Sequence, residues 1–375
     1  MKIAVIENTG KDFYSSRVRL CKFLIEKGYD VYAIVPESEF SKKILKEGIK
    51  VIDIKLDIRK KNPFVLFKYI YLLNQIFKVN KFDVIHCFRI QPNLIGCLVA
   101  YFNRVEVTIG HVTGLGVAFT DRTFKYQLVR LVSKIGYQFL NKVLNIPFIA
   151  QNSQDPIDLG LTYYKVICGS SINESLFFPQ YDNSISDFNK TPLTLLFASR
   201  LLKSKGLMTI IKGISDLDNY YKKKIVLIVA GSIDQTNSDS FTESEISYIS
   251  KLSFVKYSGF IDNIADLIHQ SHACILPTKY REGTPRFLLQ AMACSKPILT
   301  TDAPGCRHLV LDGQNGFVIN DSNITDKIIE LFSCDLNSMG AVSEKLYHEK
   351  FSENIVFNNI LKLYETPSNI NDFQQ

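Results

Sequence analysis

The strongest constraint on how this chain can fold is a pattern that occurs twice: short apolar runs separated by segments of helical periodicity. In the first half KIAVIE, DVYAIVP, VIDIK, DVIHCF, VEVTIG and PFIAQN read as strands, with SSRVRLCKFLIEKG and PNLIGCLVAYF as helices between them. After a polar stretch at 180–190 a second series begins: LTLLFAS, KIVLIVAG, VKYSGF, ACILPT and PILTTD, again separated by helical segments. Apolar strands alternating with helices build parallel sheets covered on both faces. The expected fold class is therefore α/β, with two Rossmann-like doubly wound domains facing across a cleft. The expected division is 1–180, 190–345, and a C-terminal helix and tail at 346–375, the helix returning to the first domain. In open α/β sheets ligands bind beyond the carboxyl ends of the strands, so the loops there are the ones to search.

A length of 375 residues exceeds what one hydrophobic core usually organises, which also favours two domains. The charge is uneven. Residues 1–180 carry 25 Lys and Arg against 15 Asp and Glu, and the remainder 19 against 22, so the first half holds the basic excess. Within it Arg59, Lys60 and Lys61 precede PFVLFKYIYLLNQIF, and Lys125, Arg130 and Lys134 punctuate YQLVRLVSKIGYQFL. Such stretches suit an anionic membrane surface; they equally describe core-facing helices with solvated lysines. No nucleic-acid-binding motif accompanies the charge, so nucleic acid is not an expected partner. The first residues enter a strand without the features of a secretory signal, and the apolar run at 63–77 is interrupted by Lys68, Asn74 and Gln75. Eight scattered cysteines with no CxxC pair read as thiols in a reducing compartment, with no metal site expected. Only the polar tail at 366–375 has a composition that argues against order.

Three windows carry candidate chemistry. In YREGTPRFLLQAMACSKPILTTD (280–302), Thr284 reads as an N-cap and Pro285 as the first helical residue, with Phe287, Leu288, Ala291 and Met292 forming one buried stripe. A helix N-terminus beside Gly283 suits a phosphate, and Glu282 can accept hydrogen bonds from a hydroxyl-rich ligand. The same residues also fit a plain turn with a carboxylate at the positive helix end. In SRLLKSKG (199–206), Arg200 and Lys205 either converge on phosphate oxygens or form a basic turn at a helix start. Gly231, Gly259 and Phe260 follow strands and mark positions of backbone approach. In GHVTGLG (110–116) the glycine spacing is not that of a dinucleotide fingerprint; His111 lies at the strand end, where it is either structural or turned to a ligand. Thr9 and Gly10 end the first strand and are weaker candidates of the same kind.

In this order the segments FDVIHCFRIQPNLIGCLVA, GHVTGLGVAFT, IAQNSQD, ICGSSINESLFFP, FASRLLKSKGL, YREGTPRFLLQA and PGCRHLVLDGQNGFV resemble the retaining GT-B glycosyltransferases of the group 1 or family 4 class. The YREGTPRFLLQ and TGLG forms look most like the subset acting on polyprenyl-diphosphate-linked sugars for O-antigen, capsule or glycoprotein glycans. The resemblance implies a UDP-linked nucleotide-sugar donor bound by Arg200, Lys205, Gly283, Thr284 and Gln290, and the strand-end positions Thr9, Gly10, Gly259 and Phe260 are expected to join them. It implies catalytic roles for Arg200 and Lys205 at the donor diphosphate, Glu282 at the sugar hydroxyls and His111 near the reacting carbon, with no metal and no cofactor. It further implies a polyprenyl-diphosphate-linked saccharide acceptor and a cytoplasmic enzyme held peripherally at the inner face of the plasma membrane through its basic first domain. One position departs from the family: the second acid of the E-x7-E motif is Gln290, and an amide offers one acceptor where a carboxylate offers two. Two other readings stay open on the sequence: a non-hydrolysing nucleotide-sugar 2-epimerase, whose acid and base carboxylates have no evident source here, and a non-catalytic nucleotide-sugar-binding partner, which Gln290 favours.

Overall fold

The computed structural model describes residues 1–56, 62–120, 123–170, 172–180, 191–235 and 237–365. Arg59, Lys60, Lys61, most of the polar stretch at 180–190 and the tail at 366–375 lie outside the described residues. The chain forms two compact units. One takes residues 1–171 together with the segment from Glu353 onward, and the other runs Ile172–Ser352. The boundaries thus fall at 171 and 352 where the sequence pattern suggested 180–190 and 345. The second shift occurs because Leu346 and Tyr347 belong to a helix, Leu336–Lys350, that stays with the second unit.

The first unit holds a seven-stranded parallel sheet: β1 (Lys2–Ile6), β2 (Asp30–Pro36), β3 (Lys50–Ile54), β4 (Val84–Phe88), β5 (Val107–Val112), β6 (Phe148–Ala150) and β7 (Tyr164–Val166), in the order β3-β2-β1-β4-β5-β6-β7. The winding reverses between β1 and β4. Side chains alternate across the sheet, as the two-residue period of a strand requires. Ile3 and Val5 pack with Phe13, Leu20 and Leu24 on one face, and Ala4 and Ile6 with Tyr69, Leu73 and Ile95 on the other. The C-terminal helix Glu353–Glu365 completes the first face, burying Val356, Phe357, Ile360 and Tyr364 in the same cluster. β7, with Lys165 at its centre, does not stand out as an apolar run; among the described residues it pairs only with β6. The helix expected over SSRVRLCKFLIEKG is two helices, Gly10–Ser16 and Val18–Glu26, meeting at Arg17.

Two other helices of this unit bury little. In Pro63–Asn80 only Tyr69, Leu73 and Phe77 are buried, while Phe64 is 83% exposed and Phe67 and Tyr71 are also open. In Phe124–Gln138 only Ser133 and Tyr137 are buried, and Phe124, Leu128, Leu131, Val132 and Ile135 form an exposed stripe at helical spacing. Each helix does face the core along one side, with Tyr69, Leu73, Phe77 and Tyr137 in the cluster around Ala4 and Ile6, while much of the remaining apolar surface points to solvent.

The second unit holds a six-stranded parallel sheet: β8 (Leu193–Ala198), β9 (Ile225–Ala230), β10 (Val255–Gly259), β11 (Ala273–Leu276), β12 (Ile298–Thr300) and β13 (Gly316–Val318), in the order β10-β9-β8-β11-β12-β13. β13 lies within the NGFV segment, whose strand character the turn residues around it conceal. Here the winding reverses between β8 and β11, so the loops leaving those two strands stand side by side at the carboxyl edge.

Candidate active site

The loop after β8 begins with Ser199 and carries Arg200, which is exposed and 3.4 Å from Asp234. Leu201 and Leu202 are fully buried and anchor it, and a single tight turn, Lys203–Lys205, leads to Gly206. Gly206 has φ +85°, and a Cβ there would collide with the carbonyl oxygen of Pro277, the first residue after β11. The glycine therefore does two things a side chain would forbid: it takes a left-handed conformation and lets the two loops touch. Lys279 N donates to Ser204 O at 2.7 Å, tying the loops together.

That contact carries Lys205 to Glu282. The Lys205 ammonium donates to the Glu282 carboxylate, 77 residues away in sequence, and lies 4.9 Å from the centre of the Tyr280 ring. Lys205 is 7% exposed. Burial, with Arg200 as the second cause, lowers its pKa to about 7; contact with the Glu282 carboxylate pulls the other way. Gly305 packs so close that a Cβ would strike the carbonyl oxygens of Glu282 and Gly283, which fixes the acidic loop from behind. The neighbouring Cys306 is fully buried, and burial raises its thiol pKa to about 11, so it stays neutral.

The helix after this loop starts one residue later than expected. It runs Arg286–Ala293 with Pro285 as its N-cap, because Pro285 has an extended ψ of 116° and its carbonyl accepts from Leu288 N and Leu289 N. Thr284 is buried and precedes the cap. Phe287, Leu288, Ala291 and Met292 are buried as the pattern requires, and Leu289 and Ala293 join them. Gln290 is half-buried on this helix, and among the described residues its amide makes no hydrogen bond. At the carboxyl ends of β9 and β10, Gly231 N donates to Gly259 O at 2.7 Å. Gly259 has φ +67° with open space where a Cβ would be, and Phe260 beside it is 67% exposed, a bare aromatic face at the strand edge.

The remaining candidates lie in the first unit. Thr9 Oγ1 accepts from Asp12 N at 3.0 Å, capping a helix that starts at Gly10, so Gly10 does not end the strand. It is a glycine because a Cβ would meet Ser38 Oγ. At the β1/β4 reversal Glu7 is fully buried and paired to Arg17 at 3.0 Å, with Arg89 3.7 Å away. Arg89 closes β4 with φ +74° and ψ 165°, a conformation normally left to glycine. His111 is not the isolated histidine its sequence position suggested. It is 3% exposed, stacked on Phe88 at 4.7 Å and on His86 at 5.3 Å. The Asn93 side chain grips its backbone, accepting from His111 N and donating to His111 O, both at 3.0 Å. His86, Arg17, Glu7, Arg89 and Asn93 escaped the sequence reading. His86 and Phe88 share a strand face in VIHCF, but only the β4–β5 register, which pairs Phe88 with His111, brings the imidazoles together.

Known proteins match this chain along nearly its whole length. The family model described as Glycosyl transferase 4-like matches residues 2–146, and the one described as Glycosyl transferases group 1 matches residues 181–348. The chain carries a glycosyl transferase 4-like domain and a group 1 glycosyltransferase domain. Among curated proteins it is 28% identical to the N,N'-diacetylbacillosaminyl-diphospho-undecaprenol alpha-1,3-N-acetylgalactosaminyltransferase of Campylobacter jejuni, covering 97% of this chain and 98% of that one. It is 22% identical to the capsular polysaccharide biosynthesis glycosyltransferase CapM of Staphylococcus aureus, over 92% of each. Among solved structures, a glycosyltransferase from Rickettsia africae superposes with a TM-score of 0.75 at 19% identity, covering 98% of this chain and 99% of that one. Anabaena HepE in complex with UDP gives 0.74 at 17% identity, covering 98% and 100%. These neighbours place the fold of this glycosyltransferase in the GT-B class.

Proposed function

We propose that this glycosyltransferase moves a hexose or N-acetylhexosamine from a UDP-linked donor to a polyprenyl-diphosphate-linked saccharide, with retention at the anomeric carbon and without a metal. The observation that carries this is the meeting of Lys205 and Glu282 at the sheet reversal of the second unit. A buried cation and a carboxylate side by side match the two halves of a nucleotide sugar: phosphate for the one, sugar hydroxyls for the other. As the bond to the leaving diphosphate breaks, negative charge grows on its oxygens, and Lys205 with Arg200 stabilises it. Phe260 offers a stacking face at the same sheet edge. The acceptor class follows the Campylobacter relative, whose name specifies a diphospho-undecaprenol substrate.

A lipid-linked acceptor calls for a membrane surface. The exposed apolar stripes of Pro63–Asn80 and Phe124–Gln138, interspersed with Lys68, Lys78, Lys125, Arg130 and Lys134, support peripheral docking by the first unit on an anionic bilayer. No helix among the described residues is long and apolar enough to cross one.

The test is a thermal-shift screen of the purified protein with UDP-, GDP- and ADP-sugars, since a ligand that binds only the folded state raises the melting temperature. A rise with one UDP-sugar, lost in Lys205→Ala, is the expected result. Stabilisation by GDP- or ADP-sugars alone overturns the donor assignment. Binding without turnover on any lipid-linked acceptor moves the non-catalytic reading, which Gln290 in place of the second motif acid favours, to the front.

A further inference from the structure

Three buried side chains of the first unit form a hydrogen-bonded line. Tyr364 Oη, on the C-terminal helix, lies 2.6 Å from His86 Nδ1, and His86 Nε2 lies 3.2 Å from His111 Nδ1. His111 Nε2, also shut from solvent, has no hydrogen-bond partner among the described residues. Burial holds both imidazoles well below the ordinary histidine pKa, with Arg17 nearby acting in the same direction, so each ring is neutral and carries one proton.

A line of this kind has two possible directions. If the phenol donates, its proton goes to His86 Nδ1, His86 Nε2–H donates to His111 Nδ1, and only His111 Nε2–H is left over. If the line is reversed, His86 Nδ1–H donates to the phenolic oxygen and His111 Nδ1–H donates to His86 Nε2. The phenolic proton then has no acceptor, because Tyr364 has no other hydrogen-bond partner among the described residues, and His111 Nε2 is left as a bare lone pair. The reversed line strands two buried polar groups where the first strands one, and each stranded group is unfavourable. The first direction wins.

We propose that Tyr364 and His86 are positioning residues that lock His111 in the tautomer with its proton on Nε2, so that His111 serves as a hydrogen-bond donor to a sugar oxygen and never as a base. The proposal rests on the glycosyltransferase reading above. Its chemical consequence is specific. With Nδ1 occupied and Nε2 already protonated, His111 cannot take the acceptor hydroxyl's proton. As the new bond forms between the acceptor oxygen and the anomeric carbon, and the bond from that carbon to the diphosphate oxygen breaks, the proton passes to an oxygen of the departing diphosphate. Tyr364 therefore links the C-terminal helix, 278 residues from His86 in sequence, to the chemistry of the first unit.

The direct test is long-range 1H–15N NMR on the full chain labelled at histidine, with His111→Gln used for assignment. The expected spectrum shows His111 protonated at Nε2; protonation at Nδ1 overturns the proposal. Kinetics give a second readout. Tyr364→Phe and His86→Leu break the line and are expected to lower kcat about tenfold, the effect of one misdirected hydrogen bond, with the donor KM little changed. His86→Gln restores the direction, since its amide oxygen accepts from Tyr364 and its NH2 donates to His111, and is expected to stay near wild type. Melting curves check that each variant is folded. Folded Tyr364→Phe and His86→Leu proteins with wild-type kcat, or a His86→Gln protein as poor as His86→Leu, refute the positioning role. A wild-type chain that transfers no sugar from any donor defeats the glycosyltransferase reading instead, and the NMR spectrum still decides the tautomer.

Discussion

Lys205 and Glu282 hold each other by charge, and a donor must compete for both. A diphosphate can take the ammonium only while it is protonated, and burial has brought that proton near release at about pH 7. The sign follows directly. Below the lowered pKa Lys205 is a cation and attracts phosphate; above it, binding must first take up a proton. Affinity for a UDP-sugar, whose diphosphate stays ionised throughout, is expected to weaken as pH rises past 7, by up to about tenfold per unit. Isothermal titration in buffers of different ionisation enthalpy would show the proton uptake; a flat affinity from pH 6 to 8.5 would refute it. Gln290 is the complementary case. Its amide makes no hydrogen bond among the described residues, so nothing in the protein needs it to be an amide. Gln290→Glu restores a two-oxygen acceptor and is expected to tighten donor binding about tenfold, the worth of one charge-assisted hydrogen bond. Unchanged or weaker binding would show that the family's second acid has no counterpart role at this position.

At the scale of elements, the site depends on two loops that leave adjacent strands and must touch. Gly206 decides whether they can. Its φ of +85° and its contact with the Pro277 carbonyl leave no room for a methyl group. Gly206→Ala is expected to cost about 2–4 kcal/mol of stability, since backbone strain and a clash with main chain add. Urea denaturation measures it, and a variant within 0.5 kcal/mol of wild type, the ordinary range of a surface change, would contradict the packing argument. The helix that follows was legible in its apolar spacing down to Phe287, Leu288, Ala291 and Met292, but its start was not. By sequence Thr284 fits the N-cap and Pro285 the first helical position, and the shift by one residue goes with the extended ψ of 116° at Pro285.

At the scale of the whole molecule, the first unit leaves a large aromatic and aliphatic surface uncovered on two helices. Monomeric soluble proteins rarely leave such a surface without a use. The protein is expected to sediment with vesicles of anionic phospholipid and not with neutral ones, and replacing Phe64, Phe67 and Phe124 together by Ser is expected to release it without lowering the melting temperature, because none of the three is buried. Equal binding to neutral vesicles would remove the role of anionic lipid, and binding to neither would refute membrane docking.

The alternation of apolar runs and helical segments determined two parallel sheets, because hydrophobic periodicity is a local property that each stretch of chain carries by itself. Eleven of the thirteen strands among the described residues can be seen that way; β7 has Lys165 at its centre and β13 opens on Gly316, so neither shows as an apolar run. Gly283, Glu282, Arg200 and Lys205 were also legible, as charged and turn residues at strand ends. What tertiary structure alone decided is which of them touch. Lys205 meets Glu282 because the sheet reverses between β8 and β11, and His111 meets His86 and Tyr364 because of strand register and a helix that returns from the far end of the chain. Contacts across 77 or 278 residues are set by topology and packing, to which no local run of sequence is bound.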